Sequence, residues 1–462
     1  VITGPTFEEM LHPQKIDRGI RAQALRALKE NPLDPINLYN VTWRDARNQV
    51  YHIVLPKELT GVDANIVVIY GMGFPSGSHK VGAAYSVLIE KQLLGEVDPN
   101  KHTLVWPSTG NYGIGGAFIG CRMGYDAIVV LPEGMSKERY QRIESYGARI
   151  IRTFGSESNV KEIYDEVNRL RAESDKNRIL NQFEVMGNYR FHYHVTGNTV
   201  AELAQELQAQ GVGNGKVAAY ISSMGSAGTI AAGDRLKQLN PDHKIVGLEP
   251  IQCSTLYNNG YGAHEIQGIG DKHVTWIHNV LNMDALMCID DMDSVRLLRV
   301  FVEPAGQAAL VKHYGFTPGL AACYSEIFGI SGMCNIIGAI KAAKYYRLGS
   351  DDVIVTVATD STERYHSVLD HFRAQHGNLT EAQAVGLVER VLHGAATDWT
   401  LAGTPEVRER WHNLKYYTWV EQQGKTVEEL DAQRHPAWWQ QHQALVSEID
   451  ERLVALREQQ MA

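Results

Sequence analysis

Ser76-Gly77-Ser78-His79-Lys80 is the stretch on which the reading of this chain turns. A hydrophobic run precedes it (Ile66, Val67, Val68, Ile69, Tyr70), followed by Gly71-Met72-Gly73-Phe74-Pro75, and an Ala- and Leu-rich helical pattern over 81–94 comes after. One lysine therefore stands after a small-residue turn, at the end of a buried strand and at the start of a helix. Burial and the positive potential of a helix N-terminus both disfavour an ammonium there. An amine made neutral in this way can form a Schiff base with a carbonyl cofactor. Alone, the pentapeptide also describes a surface lysine after a turn, so the loops that follow it have to decide.

Working outward, short β-branched runs like 66–70 recur at 103–106, 127–131, 149–153, 217–222, 244–248 and 352–358, separated by longer helical stretches. Continuous apolar strands between helices predict an α/β protein with parallel sheets covered on both faces. Ligands on such sheets bind where strands end and helices begin. The loop after the second strand reads Pro107-Ser108-Thr109-Gly110-Asn111-Tyr112-Gly113-Ile114-Gly115, hydroxyls and amides suited to a carboxylate. An N-cap explains Ser108 or Thr109 singly, but not a whole polar, glycine-rich turn. After 217–222 comes Ser223-Met224-Gly225-Ser226-Ala227-Gly228-Thr229, whose small residues let amides crowd around a tetrahedral anion. It has no Walker lysine, so a nucleoside triphosphate is not expected. Gln267-Gly268-Ile269-Gly270-Asp271, Phe328-Gly329-Ile330-Ser331-Gly332 and Thr359-Asp360-Ser361-Thr362-Glu363-Arg364-Tyr365 follow.

Composition narrows the class. At 462 residues the chain has room for two or three domains, and a 44% hydrophobic fraction with 42 glycines fits a turn-rich α/β protein. A net charge of −9 without any basic cluster argues against nucleic acid. Five scattered cysteines (Cys121, Cys253, Cys288, Cys323, Cys334) form no CxxC pair, which fits reduced thiols rather than a disulfide framework or zinc site. His192 and His194 would diverge by about 200° around a helix, so no metal site is expected. No basic-then-apolar leader is seen, and no apolar run reaches the ~18–20 residues that would span a bilayer. A cytoplasmic protein without membrane contact is expected. No Gly-x-Ser-x-Gly elbow supports a hydrolase, and Gly71-Met72-Gly73 is too short for a dinucleotide fingerprint.

Taken in order, the motifs across about 65–367 resemble the fold-type II pyridoxal-phosphate enzymes, the group of cysteine synthase, cystathionine β-synthase, threonine synthase and the tryptophan synthase β chain. The lysine turn looks most like tryptophan synthase β; the other loops look more like cysteine synthase. The resemblance implies a two-domain fold: a large cofactor domain (61–100 and 191–366), a small substrate-carboxylate domain (101–190), an N-terminal extension (1–60) packed on the large domain, and a helical C-terminal extension (367–462). It implies pyridoxal 5'-phosphate bound to Lys80, with Asn111 on its 3-hydroxyl oxygen and Gly225, Ser226, Ala227, Gly228 and Thr229 around its phosphate. Ser108, Thr109, Gly110, Tyr112 and Gln182 would receive the substrate carboxylate. Ser361 or Asp360 would face the pyridine nitrogen. A carboxylate there suits transamination and a neutral hydroxyl suits loss of a β-substituent. The preferred reading is Ser361, with Asp360 turned to other hydrogen bonds. His79 is expected to contact the phosphate or to pack.

Three features depart from an ordinary cysteine synthase. Asp271 follows Gly268-Ile269-Gly270, where a small apolar residue is typical, and is a candidate acid or base at the substrate β-carbon. Tyr112 and Met333 replace smaller residues and are expected to reshape the pocket. The first 60 residues and the tail, which holds five of eight tryptophans (Trp399, Trp411, Trp419, Trp438, Trp439), have no counterpart in minimal cysteine synthases. Such a tail docks either on its own main body or on a second subunit. The expected activity is β-elimination or β-replacement through an aminoacrylate on an L-amino acid of the cysteine or serine type, with a small nucleophile as second substrate and a homodimer as the assembly. The alternatives are a deaminating lyase, a threonine synthase-like enzyme, or a pyridoxal-phosphate-binding interaction protein, which would have no need of the amine.

Overall fold

Ile66, Val67, Val68 and Ile69 leave no polar position on either face, so this run is stable only inside a sheet, where it forms β2 (Asn65–Tyr70). The computed structural model describes residues 2–156 and 159–461. In it, β2 lies next to the edge of a seven-stranded sheet. The order is β1 (His52–Val54), β2, β10 (Val353–Ala358), β7 (Val217–Ser223), β8 (Lys244–Pro250), β9 (Ala285–Ile289) and β11 (Thr400–Ala402). The five inner strands are parallel, and β1 and β11 run antiparallel at the two edges. A second, four-stranded parallel sheet has the order β5 (Arg149–Thr153), β4 (Asp126–Pro132), β3 (Thr103–Pro107), β6 (Asn177–Ile179). The chain leaves the large sheet along the helix Lys80–Leu93, builds the small sheet, and returns at β7. Positions 1 and 462, the limits of the expected terminal segments, and positions 157–158 within the expected small domain lie outside the described residues.

Alternation of side chains divides the large sheet's core in two. Val67 and Ile69 join Val355 and Val357 in one cluster, which includes Val81, Tyr85 and Leu88 of the helix Lys80–Leu93. Ile66 and Val68 join Ile354 and Ile221 on the other face, against Met333, Ile336 and Ile340 of the helix Ile330–Tyr346. Each fully buried aliphatic side chain contributes about 1.5–3 kcal/mol. Met333 is thus a core residue beneath the sheet. It does not line the crevice described below, contrary to its expected role in reshaping the pocket.

The seven expected strands all form. Four others were not expected: β1, β6, β9 and β11. The tail, expected to be helical, contributes β11, whose three residues pair with Met287, Leu286 and Ala285 of β9. A segment that short is extended because of its partner rather than its composition.

The two chain ends are laced together. The backbone amides of Phe7 and Glu8, opening the helix Phe7–Leu11, donate to the Asp450 carboxylate at 2.7 and 3.0 Å, and Arg457 pairs with Glu9 at 2.8 Å. Both partners lie on the long helix Pro436–Met461. Trp43 of the N-terminal segment packs 5.7 Å from the His79 ring and 4.9 Å from Phe74, behind the lysine turn. Among the described residues, no single helix is long and apolar enough to cross a membrane.

Candidate active site

β2, β10 and β7 are adjacent and parallel, so the loops 71–80, 359–361 and 224–229 leave the sheet side by side. The loop after β3 faces them from the small sheet. Of the residues singled out in the sequence, Lys80, Ser108, Thr109, Gly110, Asn111, Tyr112, Gln182, Gly225, Ala227 and Thr229 line one crevice. Ser223, Gly268, Ile269 and Thr359, to which the sequence assigned no role, line it too. Ser226, Gly228, Asp271, Asp360 and Ser361 are buried or nearly so and are not among the lining residues.

Lys80 Nζ donates to Ser226 Oγ at 3.0 Å. Burial pulls its pKa down to about 8, and the charge of Asp271 opposes this. Ser226 Oγ also accepts from Asn188 Nδ2 at 2.9 Å, a contact with no sequence signal because Asn188 belongs to no glycine-rich loop. His79 is fully buried, and burial with the neighbouring Lys80 pushes its pKa down to about 3, so its ring is neutral. Its Nε2 hydrogen-bonds the Thr229 hydroxyl at 2.8 Å, and its ring lies 5.1 Å from that of His192. His192 and His194 fall in a π-type turn, Phe191–Thr196, with His192 on Thr196 (3.0 Å) and His194 edge-on to Phe7.

The turn 225–229 is shaped to bring backbone close to a guest. Ala227 takes φ +60°, and a Cβ on Gly225 would come within 2.7 Å of the Gly268 carbonyl oxygen. The turn runs through Thr229–Ala231 into the helix Ala232–Leu239. Across the crevice, Ser108 Oγ accepts from the amides of Gly110 (2.9 Å) and Gly113 (2.7 Å). Ser108 therefore holds the turn in shape, and the first-turn amides of Asn111 and Tyr112 have no acceptor among the described residues. The Tyr112 hydroxyl donates to the Leu180 carbonyl at 3.1 Å, so this residue presents its body to the crevice. Gln182 Nε2 reaches the Pro107 carbonyl at 3.5 Å.

Asp360 is fully buried and points to other groups. Its Oδ2 accepts from Asn111 Nδ2 (2.7 Å) and the Tyr365 hydroxyl (2.8 Å) and lies 3.5 Å from Arg139 Nη2. Arg139 also donates to Tyr365 (3.0 Å) and to Gln267. Thr359, one residue earlier, lines the crevice and shares a 2.8 Å hydrogen bond with Ser331. Asp271 is buried with neither carboxylate oxygen hydrogen-bonded among the described residues. Burial raises its pKa to about 7, and Lys80 pulls it the other way.

The donor set fits pyridoxal phosphate: a lysine with a lowered pKa, a small-residue turn that a Cβ would block, and the buried, unpartnered Asn111 Oδ1 and Ser223 Oγ among lining residues. The crevice itself is narrow, about 20 Å³, or one water molecule. A roomier cleft of about 260 Å³, beside Asp234, Lys237 and Trp439, lacks reactive groups. Its Asp234 is satisfied by Tyr189 (2.7 Å), Asn279 (2.9 Å) and Asn282 (2.6 Å), and its Lys237 pairs with Asp284 at 2.7 Å.

Known relatives and solved structures share this chain's sequence and fold. The chain is 32% identical over 295 residues to a probable cysteine synthase of Bacillus subtilis, a match covering 63% of this chain and 85% of that one. It is 28% identical over 319 residues to cystathionine beta-synthase of Saccharomyces cerevisiae, covering 67% and 58%. Its fold matches O-acetylserine sulfhydrylase isoform 3 of Entamoeba histolytica with a TM-score of 0.61 at 24% identity, covering 79% of this chain and 96% of that one. A hydrogen sulfide-producing enzyme of Fusobacterium nucleatum matches at 0.57 and 24%, covering 68% and 96%. Residues 71–360 match the model of the pyridoxal-phosphate dependent enzymes, and the chain belongs to that family.

Proposed function

We propose that this chain acts at the β-carbon of an L-amino acid, replacing or eliminating a β-substituent, with cysteine as the leading donor and a small thiol as nucleophile. The observation that carries this reading is Asp271, a buried carboxylate without hydrogen-bond partners among the described residues, whose charge is felt by Lys80. The names of the relatives, cysteine synthase and cystathionine beta-synthase, support the same class of reaction.

When bound, pyridoxal phosphate supplies a carbonyl that captures an amine and a conjugated ring that takes up an electron pair. Everything else falls to the chain. Lys80 is the residue that would hold that carbonyl carbon, and its Nζ would serve as the base for the α-proton; a pKa near 8 makes proton uptake and return accessible near neutrality. The turn 225–229 would hold the phosphate, with Thr229 fixed from behind by His79. The amides of Asn111 and Tyr112, with Thr109 and Gln182, would receive the substrate carboxylate. Ser361 would face the pyridine nitrogen, since the Asp360 carboxylate is engaged by Asn111 and Tyr365. Asp271, poised near pH 7, would take a proton from the incoming thiol or give one to the leaving group.

We also propose a homodimer working in the cytoplasm; the five cysteines are unpaired, as a reducing compartment requires. The test of the reaction is a panel of β-substituted L-amino acids given to the cofactor-loaded protein, with sulfide, ammonia and new amino acid measured. L-cysteine should yield sulfide, and a β-thioether when 2-mercaptoethanol is added. Failure of every β-substituted amino acid to react sinks the reading.

A further inference from the structure

The irregular segment that follows Asp271 is pinned from two sides. Residues 274–278 are buried yet belong to no helix or strand, so no ladder satisfies their carbonyls. The C-terminal extension does so instead. Trp419 Nε1 donates to the Val274 carbonyl at 2.8 Å. Lys415 Nζ, fully buried, donates to the carbonyls of Trp276 (3.1 Å) and His278 (2.6 Å) and to Gln433 Oε1 (2.6 Å). Gln433 Nε2 donates to the Trp276 carbonyl as well, at 3.1 Å. Every second carbonyl, at 274, 276 and 278, is therefore taken by the extension.

The remaining groups of the segment reach toward the site. Thr275 Oγ1 donates to the Ser226 carbonyl at 2.8 Å, in the same turn that receives Lys80. The Trp276 amide donates to the Phe183 carbonyl at 2.9 Å, next to Gln182, and His273 Nε2 hydrogen-bonds the Tyr164 hydroxyl at 3.1 Å. Lys425 adds an ion pair to Glu184 (2.8 Å) and sits over the Trp276 ring. Lys415 Nζ thus already has three neutral partners, two of them carbonyls of this segment.

We infer that Lys415, Trp419 and Gln433 are positioning residues for Asp271: the extension clamps the segment that begins at this carboxylate and sets where it stands relative to Lys80. The inference rests on the reading of Asp271 as the acid–base group at the β-carbon. It concerns residues beyond 360, outside the stretch that the family's model matches. With neither carboxylate oxygen hydrogen-bonded among the described residues, Asp271 is aimed through its backbone, whose carbonyl accepts from Thr255 Oγ1 at 3.1 Å and whose continuation the clamp holds.

The test uses the cofactor-loaded, full-length chain with L-cysteine and 2-mercaptoethanol in deuterated water. Two rates are read: deuterium incorporation at the substrate α-carbon and formation of the β-thioether. Lys415→Met and Trp419→Phe should leave the α-exchange within about 2-fold of the unaltered chain while product formation falls roughly 10- to 100-fold, the scale of an ångström-sized misplacement. The visible band of the bound cofactor should stay unchanged. Trp419→Phe keeps an aromatic side chain while removing the donor with the pyrrole half of the indole, so it gives a second reading of the same two rates should Lys415→Met fail to fold. Equal loss of both rates, or loss of neither, overturns the clamp. Asp271→Asn is run alongside. If it alone loses product formation selectively, the clamp fails and the acid–base reading stands; if it shows no selective loss, both fall.

Discussion

Asn111 Nδ2 donates to Asp360 Oδ2 across 2.7 Å, tying the first turn of the helix Asn111–Arg122 on the small sheet to the end of β10 in the large one. Arg139, from the small-sheet helix Lys137–Ser145, meets the same oxygen at 3.5 Å, and both charged side chains are fully buried. The crevice is thus bridged by an ion pair away from water.

Removing one partner of a buried pair leaves the other charged and unsolvated, at a cost of about 3–5 kcal/mol. Asp360→Ala is expected to lower unfolding stability on that scale, and Asp360→Asn by less because it keeps an acceptor for Asn111. Urea denaturation monitored by tryptophan fluorescence measures both. An unchanged midpoint for Asp360→Ala means the bridge holds nothing together.

Asp271 gives a pH prediction with a definite sign. Burial raises its pKa from 3.8 to about 7, so between these values the folded state binds more protons than the unfolded one and stability falls as pH rises. Asp271→Asn has no such ionisation. Its stability relative to the unaltered cofactor-free protein should therefore grow from pH 5 to pH 8 by roughly 2–3 kcal/mol, at 1.36 kcal/mol for each of the about two pH units between 5 and the folded pKa. A difference that is flat with pH contradicts a strained buried carboxylate.

Lys80→Ala should abolish sulfide release from L-cysteine, by more than about 10³-fold, the scale on which a lost base or nucleophile registers. Non-covalent cofactor binding through the turn 225–229 should survive, measurable by cofactor fluorescence. Substantial activity retained in this variant removes Lys80 from its assigned role.

At Gly225, an added Cβ would stand 2.7 Å from the Gly268 carbonyl oxygen, a rigid backbone neighbour. Gly225→Ala should weaken cofactor affinity about tenfold or more, equivalent to about 1.4 kcal/mol. Equilibrium titration of the cofactor-free variant reads this directly, and wild-type affinity would show that the turn is not the phosphate cradle.

Away from the site, Trp411 is fully buried and its Nε1 donates to the Leu256 carbonyl at 3.2 Å. Trp411→Ala should cost about 3–5 kcal/mol of stability. A loss below 1 kcal/mol, as for a surface residue, would mean the extension is only loosely docked.

What the sequence made legible follows from which signals are local. Runs such as Ile66-Val67-Val68-Ile69 announce an interior strand because both faces must be apolar, and the glycine-rich loops lie where such strands end. β9 reads Ala-Leu-Met-Cys-Ile, with a single β-branched residue, and so carries little strand signal of its own. The pairing of Lys80 with Ser226, of Ser226 with Asn188, and of Lys415 with the carbonyls near Asp271 joins residues far apart in the chain. No spacing rule reaches that far. Met333 misled for a related reason: its loop neighbours lie near the site, but helical geometry turns its side chain down into the core.

The lacing of Asp450 to Phe7 sets an order on how the molecule comes into being. The contact spans 443 residues, and at the usual pace of synthesis, about 5–20 residues per second, the first helix waits roughly 20–90 s for the carboxylate that caps it. That cap can form only once Asp450 has been made, whereas the apolar side of the helix has an earlier partner in the segment 191–196, where Phe7 stands edge-on to His194.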